Sequence, residues 1–138
     1  MLDLSAEESA ALEDRQRTEN IAWITTVTPG EQPQSSPVWF LWDEGEFLVY
    51  AQPHSWKVRN IRVRPKVSLH LNSDDEGGRV VTFEGSASIS EGHPLAHQVA
   101  AYLAKYRKGI ADIGMSPEQL GAEYSTALRV IPTRVRVY

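Results

Sequence analysis

The sequence contains no cysteine, which excludes disulfides, thiolate nucleophiles and cysteine–zinc sites and agrees with a reducing cytoplasm. It also lacks any apolar run approaching the roughly 20 residues that a membrane-spanning helix requires. The opening residues Met1–Glu8 are acidic and lack the basic-then-apolar order of a signal peptide, so a soluble, cytoplasmic chain with no membrane partner is expected. No glycine fingerprint for a dinucleotide or nucleoside triphosphate is present, because Gly77-Gly78 leads into a strand pattern and not a helix. Ser35 and Ser36 lack the strand-to-helix elbow of serine hydrolases. His93 and His97 have the four-residue spacing that lets two imidazoles share a metal on one helix face. No acid stands between them in the zinc-protease order, and Pro94 makes His93 a cap, so no metal site is expected. Lysine and arginine are outnumbered 14 to 18 by acids, for a net charge of -4. Nucleic acid is therefore not the expected partner.

What is present is one domain's worth of chain, 138 residues with 41% hydrophobic content, enough to bury a core and read as a single domain over 1–138. Ser5, followed by Glu7 and Glu8, reads as the cap of a surface helix over 5–19 with Leu12 on its buried side. Strand patterns follow at Ile21–Thr28, with Ile21, Trp23 and Val27 on one face, and at Gln34–Trp42, where both faces are apolar after Pro37. That second pattern suggests a strand covered on both sides. Asp43–Glu46 is a hairpin turn into Phe47–Tyr50, and Val67–Asn72 is the next strand. Asp74–Gly78 is an exposed loop. Arg79–Ser90 alternates Val81, Phe83, Ala87 and Ile89 with polar residues, and Gly85 inside it signals a bulge or a close backbone approach. A helix is expected over about 95–106 and a short one after Ser116-Pro117. A last strand, Ala127–Tyr138, carries Pro132 as the mark of an edge or bulge. Six short strands with helices inserted between them predict a mainly β fold, a closed or nearly closed antiparallel barrel.

The stretch between the Phe47 and Val67 strands concentrates the basic charge. From Phe47 to Ser73 there are five bases (Lys57, Arg59, Arg62, Arg64, Lys66) and no acid, whereas residues 1–20 hold six acids against two arginines. Ser55 is a helix N-cap, Lys57 falls in the first turn, and Pro65 ends the helix. A cation at the positive end of a helix dipole is unfavourable unless an anion joins it. The segment reads as a cradle for a phosphate or as an ordinary solvated basic helix. Four tryptophans are present; Trp39 and Trp42, three apart on one strand, point to opposite faces. One basic cradle, many aromatics and no side-chain nucleophile together suggest a conjugated cofactor that carries the chemistry itself.

The ordered segments Gln34–Phe40, Phe47–Tyr50, Ser55–Ile61 and Pro65–Leu69, with the last strand Leu128–Val135, resemble the pyridoxamine-phosphate-oxidase-like split β-barrel superfamily. More narrowly, the chain is similar to the superfamily's actinobacterial branch of deazaflavin (coenzyme F420)-dependent reductases. The resemblance implies a split β-barrel homodimer with cofactor sites at the subunit interface. Ser55 and Lys57 would hold the cofactor phosphate, with Asn60 one turn on. Gln34, Ser36, Pro37, Val38 and Trp39 would lie against the ring system, and Tyr50, Ala51 and Gln52 along the ribityl chain. It implies hydride transfer from reduced F420 to a small unsaturated acceptor, with no obligatory catalytic side chain. On the same fold, an FMN-dependent oxidoreductase and a non-catalytic carrier of F420, flavin or haem are the alternatives; haem would need His54 or His70 as axial ligand. The vitamin B6 oxidases carry an arginine where this chain has Gln34-Ser35-Ser36, and a late arginine–histidine motif where it has Thr133-Arg134-Val135-Arg136. The resemblance therefore does not extend to oxidation of pyridoxamine phosphate.

Overall fold

A computed structural model describes residues 4–138; Met1–Asp3, part of the acidic opening stretch, lie outside the described residues. The helix α1 (Ala6–Thr18) starts as its sequence predicts. Ser5 accepts from the Glu8 N–H at 3.1 Å, and the Glu8 carboxylate accepts in return from the Ser5 N–H at 3.3 Å. Strands β1 (Ala22–Val27), β2 (Pro33–Val38), β3 (Leu41–Asp43), β4 (Glu46–Ala51), β5 (Lys66–Leu71), β6 (Val81–Ile89) and β7 (Thr126–Val137) form one antiparallel sheet in the order β2-β1-β5-β6-β7-β4-β3. The sheet curls into a half-barrel around Ile24, Phe40, Phe47, Leu69, Phe83 and Leu128, all 2% exposed or less. Helix α2 (Trp56–Val63) closes the barrel against β1 and β6 through Val58 and Ile61. No helix among the described residues is long and apolar enough to cross a membrane.

Seven strands form where six were expected, because the Gln34–Trp42 pattern divides. The ladder stops after Val38, and Trp39-Phe40 bend across to a separate strand, β3. The backbone groups freed at Phe40 are taken up by α3 (Ala100–Asp112). The Tyr106 hydroxyl accepts from the Phe40 N–H at 2.8 Å and donates to the Asn20 carbonyl at 2.7 Å, while the Lys105 ammonium donates to the Phe40 carbonyl at 2.8 Å. The strand covered on both faces is instead β4. Phe47, Val49 and Ala51 enter the barrel core, and Leu48 and Tyr50 enter a second core under α3. Trp39 and Trp42 do fall on different sides, one in each core.

β1 buries Ala22, Ile24 and Thr26, the set opposite Trp23, Val27 and the preceding Ile21. Helix α2 packs against this strand from the inner side, with Asn60 bonded to Thr26, while Trp23 stacks on His70 at 6.3 Å on the outer face. Gly85 marks the close approach that its place in the strand suggests. The β6–β7 register shifts there, opposite Pro132, and a Cβ on Gly85 would lie 2.6 Å from the Ile131 carbonyl oxygen. The β3–β4 hairpin turns on Glu44 and Gly45, both at positive φ. The helix expected over 95–106 begins later: a 3-10 turn covers Ala96–Gln98, and α3 starts at Ala100. His93 and His97 therefore share no helix face. The short α4 (Pro117–Glu123) opens on a Ser116–Gln119 capping box.

Candidate functional site

The ends of two strands, the start of α2 and the α3–α4 pair enclose a cavity of about 290 Å³. β2 and its continuation supply Pro37, Val38 and Trp39. β4 supplies Tyr50 and Ala51, followed by Gln52, and the α2 start supplies Ser55 and Lys57. These eight belong to the set marked in the sequence, brought together from segments up to 20 residues apart by the return of β4 toward the β2 end. The remaining wall is Tyr102 and Ile113 with Leu120 and Tyr124, side chains of the α3–α4 region. Sequence reasoning placed Tyr102 on the apolar stripe of the helix expected over 95–106 and gave the other three no role. Such a stripe looks the same whether a helix covers a core or a cavity.

Gln34, Ser36 and Asn60 do not line the cavity. Asn60 is 2% exposed and spends its amide donors on the Thr26 hydroxyl and the Gln34 amide oxygen, both at 2.9 Å. It ties α2 to β1 and β2. Ser36 pairs with Ile24 in the β1–β2 ladder. Arg64 is likewise structural, donating to the Thr28 and Pro29 carbonyls at 3.1 and 2.9 Å, whereas Arg59 and Arg62 are exposed.

The start of α2 carries two unmet demands. Ser55 has the backbone of an N-cap, but its hydroxyl makes no capping bond, and the oxygen is buried without a partner. Buried hydroxyls in native proteins are nearly always satisfied. Lys57 is half-buried, and loss of hydration lowers its pKa. No acid stands in the first turn of α2, and no carboxylate pairs with Lys57 among the described residues. A phosphate would supply what both lack: acceptor oxygens for the Ser55 hydroxyl and the first α2 N–H groups, and negative charge for Lys57. The residues present therefore fit a phosphate-bearing cofactor.

The aromatic wall is closely packed. Trp39 stacks flat on Tyr106 at 4.6 Å, and Tyr102 meets Tyr50 edge-on at 5.1 Å. The Tyr50 hydroxyl donates to the Pro94 carbonyl at 2.7 Å and lies 3.2 Å from His93 Nδ1. His93 Nε2 in turn sits 3.1 Å from Arg129, which pairs with Asp43. Burial, opposed by Arg129, pushes the Tyr50 pKa up to about 12. His54 is exposed and His70 is stacked on Trp23, so neither reaches the cavity lining.

Comparison with known proteins agrees with this architecture. A conserved hypothetical protein of Mycobacterium tuberculosis superposes with a TM-score of 0.77 at 23% identity, covering 98% of this chain and 84% of its own. An F420 reductase superposes at 0.62 with 22% identity, covering 88% and 91%. The haem storage protein HutZ of Vibrio cholerae superposes at 0.65 with 20% identity, covering 94% and 93%. At these identities the likeness is one of fold, the split β-barrel. No curated protein gives a significant sequence match. The model of the pyridoxamine 5'-phosphate oxidase family matches residues 9–138, and the chain therefore belongs to that family.

Proposed function

We propose that this protein is an F420-binding oxidoreductase that uses the reduced deazaflavin to reduce a small unsaturated organic acceptor. The observation that carries this reading is the pairing, at one α2 start, of a buried unpartnered Ser55 hydroxyl with an unpaired Lys57 at the edge of an aromatic-lined cavity. A similar fold in an F420 reductase supports it. The cofactor supplies hydride chemistry; the protein supplies position and exclusion of water. Ser55 and Lys57 would bind the phosphate. Tyr50, Ala51 and Gln52 would run beside the ribityl chain, with Gln52 steadied by Glu123 at 2.9 Å. Pro37, Val38 and Trp39 would border the ring.

A phosphate cradle serves FMN equally well, so FMN is the second reading, and a paired titration with F420 and FMN decides between them. F420 binding at least tenfold tighter than FMN is expected. Preference for FMN moves the protein to the flavin side of the family, and binding of neither overturns the functional reading. Subsequent turnover of reduced F420 with an added acceptor separates an enzyme from a carrier. We also infer a homodimer in the cytoplasm. Supporting it, the outer face of β1 leaves Trp23 and Val27 only half-covered, and α2 exposes Trp56 and Val63 at 66% and 63%. A monomer mass in sedimentation at micromolar concentration would refute the dimer.

A further inference from the structure

Helix α1 covers a second cavity, of about 330 Å³, that shares no lining residue with the first. On the barrel side its wall is apolar: Trp42 from β3, Phe83 from β6, and Pro132 and Val135 from β7. Trp42 and Phe83 both meet Phe47 edge-on, at 4.8 and 5.0 Å, so the cavity borrows two rings of the barrel's aromatic cluster. Pro132 and Val135, three apart, would face opposite sides of a regular strand. The β6–β7 ladder pairs Gly85 with Pro132 and Glu84 with Arg134, leaving Thr133 as the extra residue of a bulge. Pro132 and Val135 are in consequence both buried in the one wall. From the other side α1 contributes Leu12, Glu13 and Gln16, which share a helix face.

Gln16 is the exception in this wall. It is 5% exposed, yet its amide makes no hydrogen bond among the described residues. The polar side-chain atoms sealed away without a partner there are Ser55 Oγ and His97 Nδ1. The Gln16 amide atoms are not among them, so they keep an opening, and the space that Gln16 lines is this cavity. An enclosed amide facing apolar walls needs both an acceptor and a donor from whatever enters. Its N–H and C=O lie side by side in one plane, and the group that answers both at once is another cis amide. Glu13 stands at the cavity, and α1 carries Glu7, Glu8, Glu13 and Asp14 against Arg15 and Arg17, which disfavours an anion. A carboxylate also lacks the donor that the Gln16 oxygen requires. The Trp42 and Phe83 rings suit a flat molecule, and the volume, at the small end of ligand sites, limits its size. We propose that this cavity is a second ligand site. It takes a neutral, flat heterocyclic amide, a lactam or cyclic imide of one or two rings, whose amide edge pairs with the Gln16 carboxamide. The site is independent of the cofactor reading.

The probe is 2-quinolinone, a bicyclic lactam, and its control is 1-methyl-2-quinolinone, which keeps the carbonyl and lacks the N–H. In calorimetric titrations the wild type should bind the lactam roughly tenfold more tightly than the methylated analogue. Gln16→Leu should abolish that preference, and comparing both ligands on both proteins removes the steric effect of the methyl group. No binding of the lactam to the wild type overturns the proposal. An equal preference in the two proteins also overturns it and leaves the Gln16 amide to solvent. The variant should melt at or above the wild-type temperature, since the amide it loses has no protein partner. A fall of several degrees would give Gln16 a structural role and overturn the proposal. In 15N-labelled protein the lactam should move the Trp42 indole N–H signal, identified by its loss in Trp42→Phe. A shift of the Trp39 signal instead, identified with Trp39→Phe, would put the probe in the other cavity and overturn the assignment.

Discussion

Lys57 is where the proposed function meets the energetics of the unliganded fold. It stands second in α2, half-buried, with no acid in the turn and no carboxylate partner among the described residues. Burial lowers its folded-state pKa below the ordinary value of 10.5. Between the two values the unfolded chain binds more protons, so the stability of the unliganded protein rises with pH across that interval. A bound phosphate reverses the preference by stabilising the ammonium, so affinity should begin to fall once pH passes the lowered pKa. Lys57→Met retains the aliphatic stem and removes the charge. The charge-assisted contact contributes about 1.5–3 kcal/mol, so the dissociation constant for F420 should rise roughly ten- to 150-fold. Without cofactor, the variant should melt at or above the wild-type temperature. Quenching of intrinsic tryptophan fluorescence reads the titration, because Trp39 lines the cavity and Trp56 adjoins Lys57. Superimposable curves for the two proteins would end the cradle assignment, and a markedly lower melting temperature would show that Lys57 supports the fold instead.

Asn60→Ala removes a buried hydrogen bond to Thr26 and a partly buried one to Gln34 and should cost about 1–3 kcal/mol of stability, seen in urea unfolding. F420 affinity below the transition should be nearly unchanged; a binding defect without a stability loss would make Asn60 a ligand contact after all. Gly85→Ala brings a Cβ to 2.6 Å from the Ile131 oxygen, which forces β6 and β7 apart. A loss of about 1–3 kcal/mol is expected, and an unchanged melting temperature would show that the bulge absorbs the methyl group. Burial pushes the Lys105 pKa down to about 8 from 10.5, so wild-type stability should climb as pH rises from about 8 toward 10.5, where the unfolded state holds the extra proton. Lys105→Met should flatten that climb relative to the wild type, and parallel pH–stability curves would refute the assignment.

Much of this molecule is written in short-range patterns. The Ser5 and Ser116 caps, the Glu44-Gly45 hairpin and the alternation of β6 each depend on residues within a few positions. The basic, acid-free start of α2 was legible for the same reason, since a cap position, a charge and a missing acid all sit in one turn. What the linear pattern did not determine was which face of a strand turns inward. β1 is apolar on both faces, and only the approach of α2 selected the Ala22–Ile24–Thr26 side. Nor did it divide the Gln34–Trp42 run, because the bend at Trp39-Phe40 is stable only when Tyr106 and Lys105, more than sixty residues later, take up the freed backbone groups. Asn60, which the resemblance placed one turn on from the phosphate, is instead a buried clamp because β1 and β2 close behind it. Tyr102 shows the same limit. Its position on an apolar stripe follows from helical periodicity, but whether it covers a core or lines a cavity depends on the packing of α3 and α4 across β4, a long-range geometry with no local code.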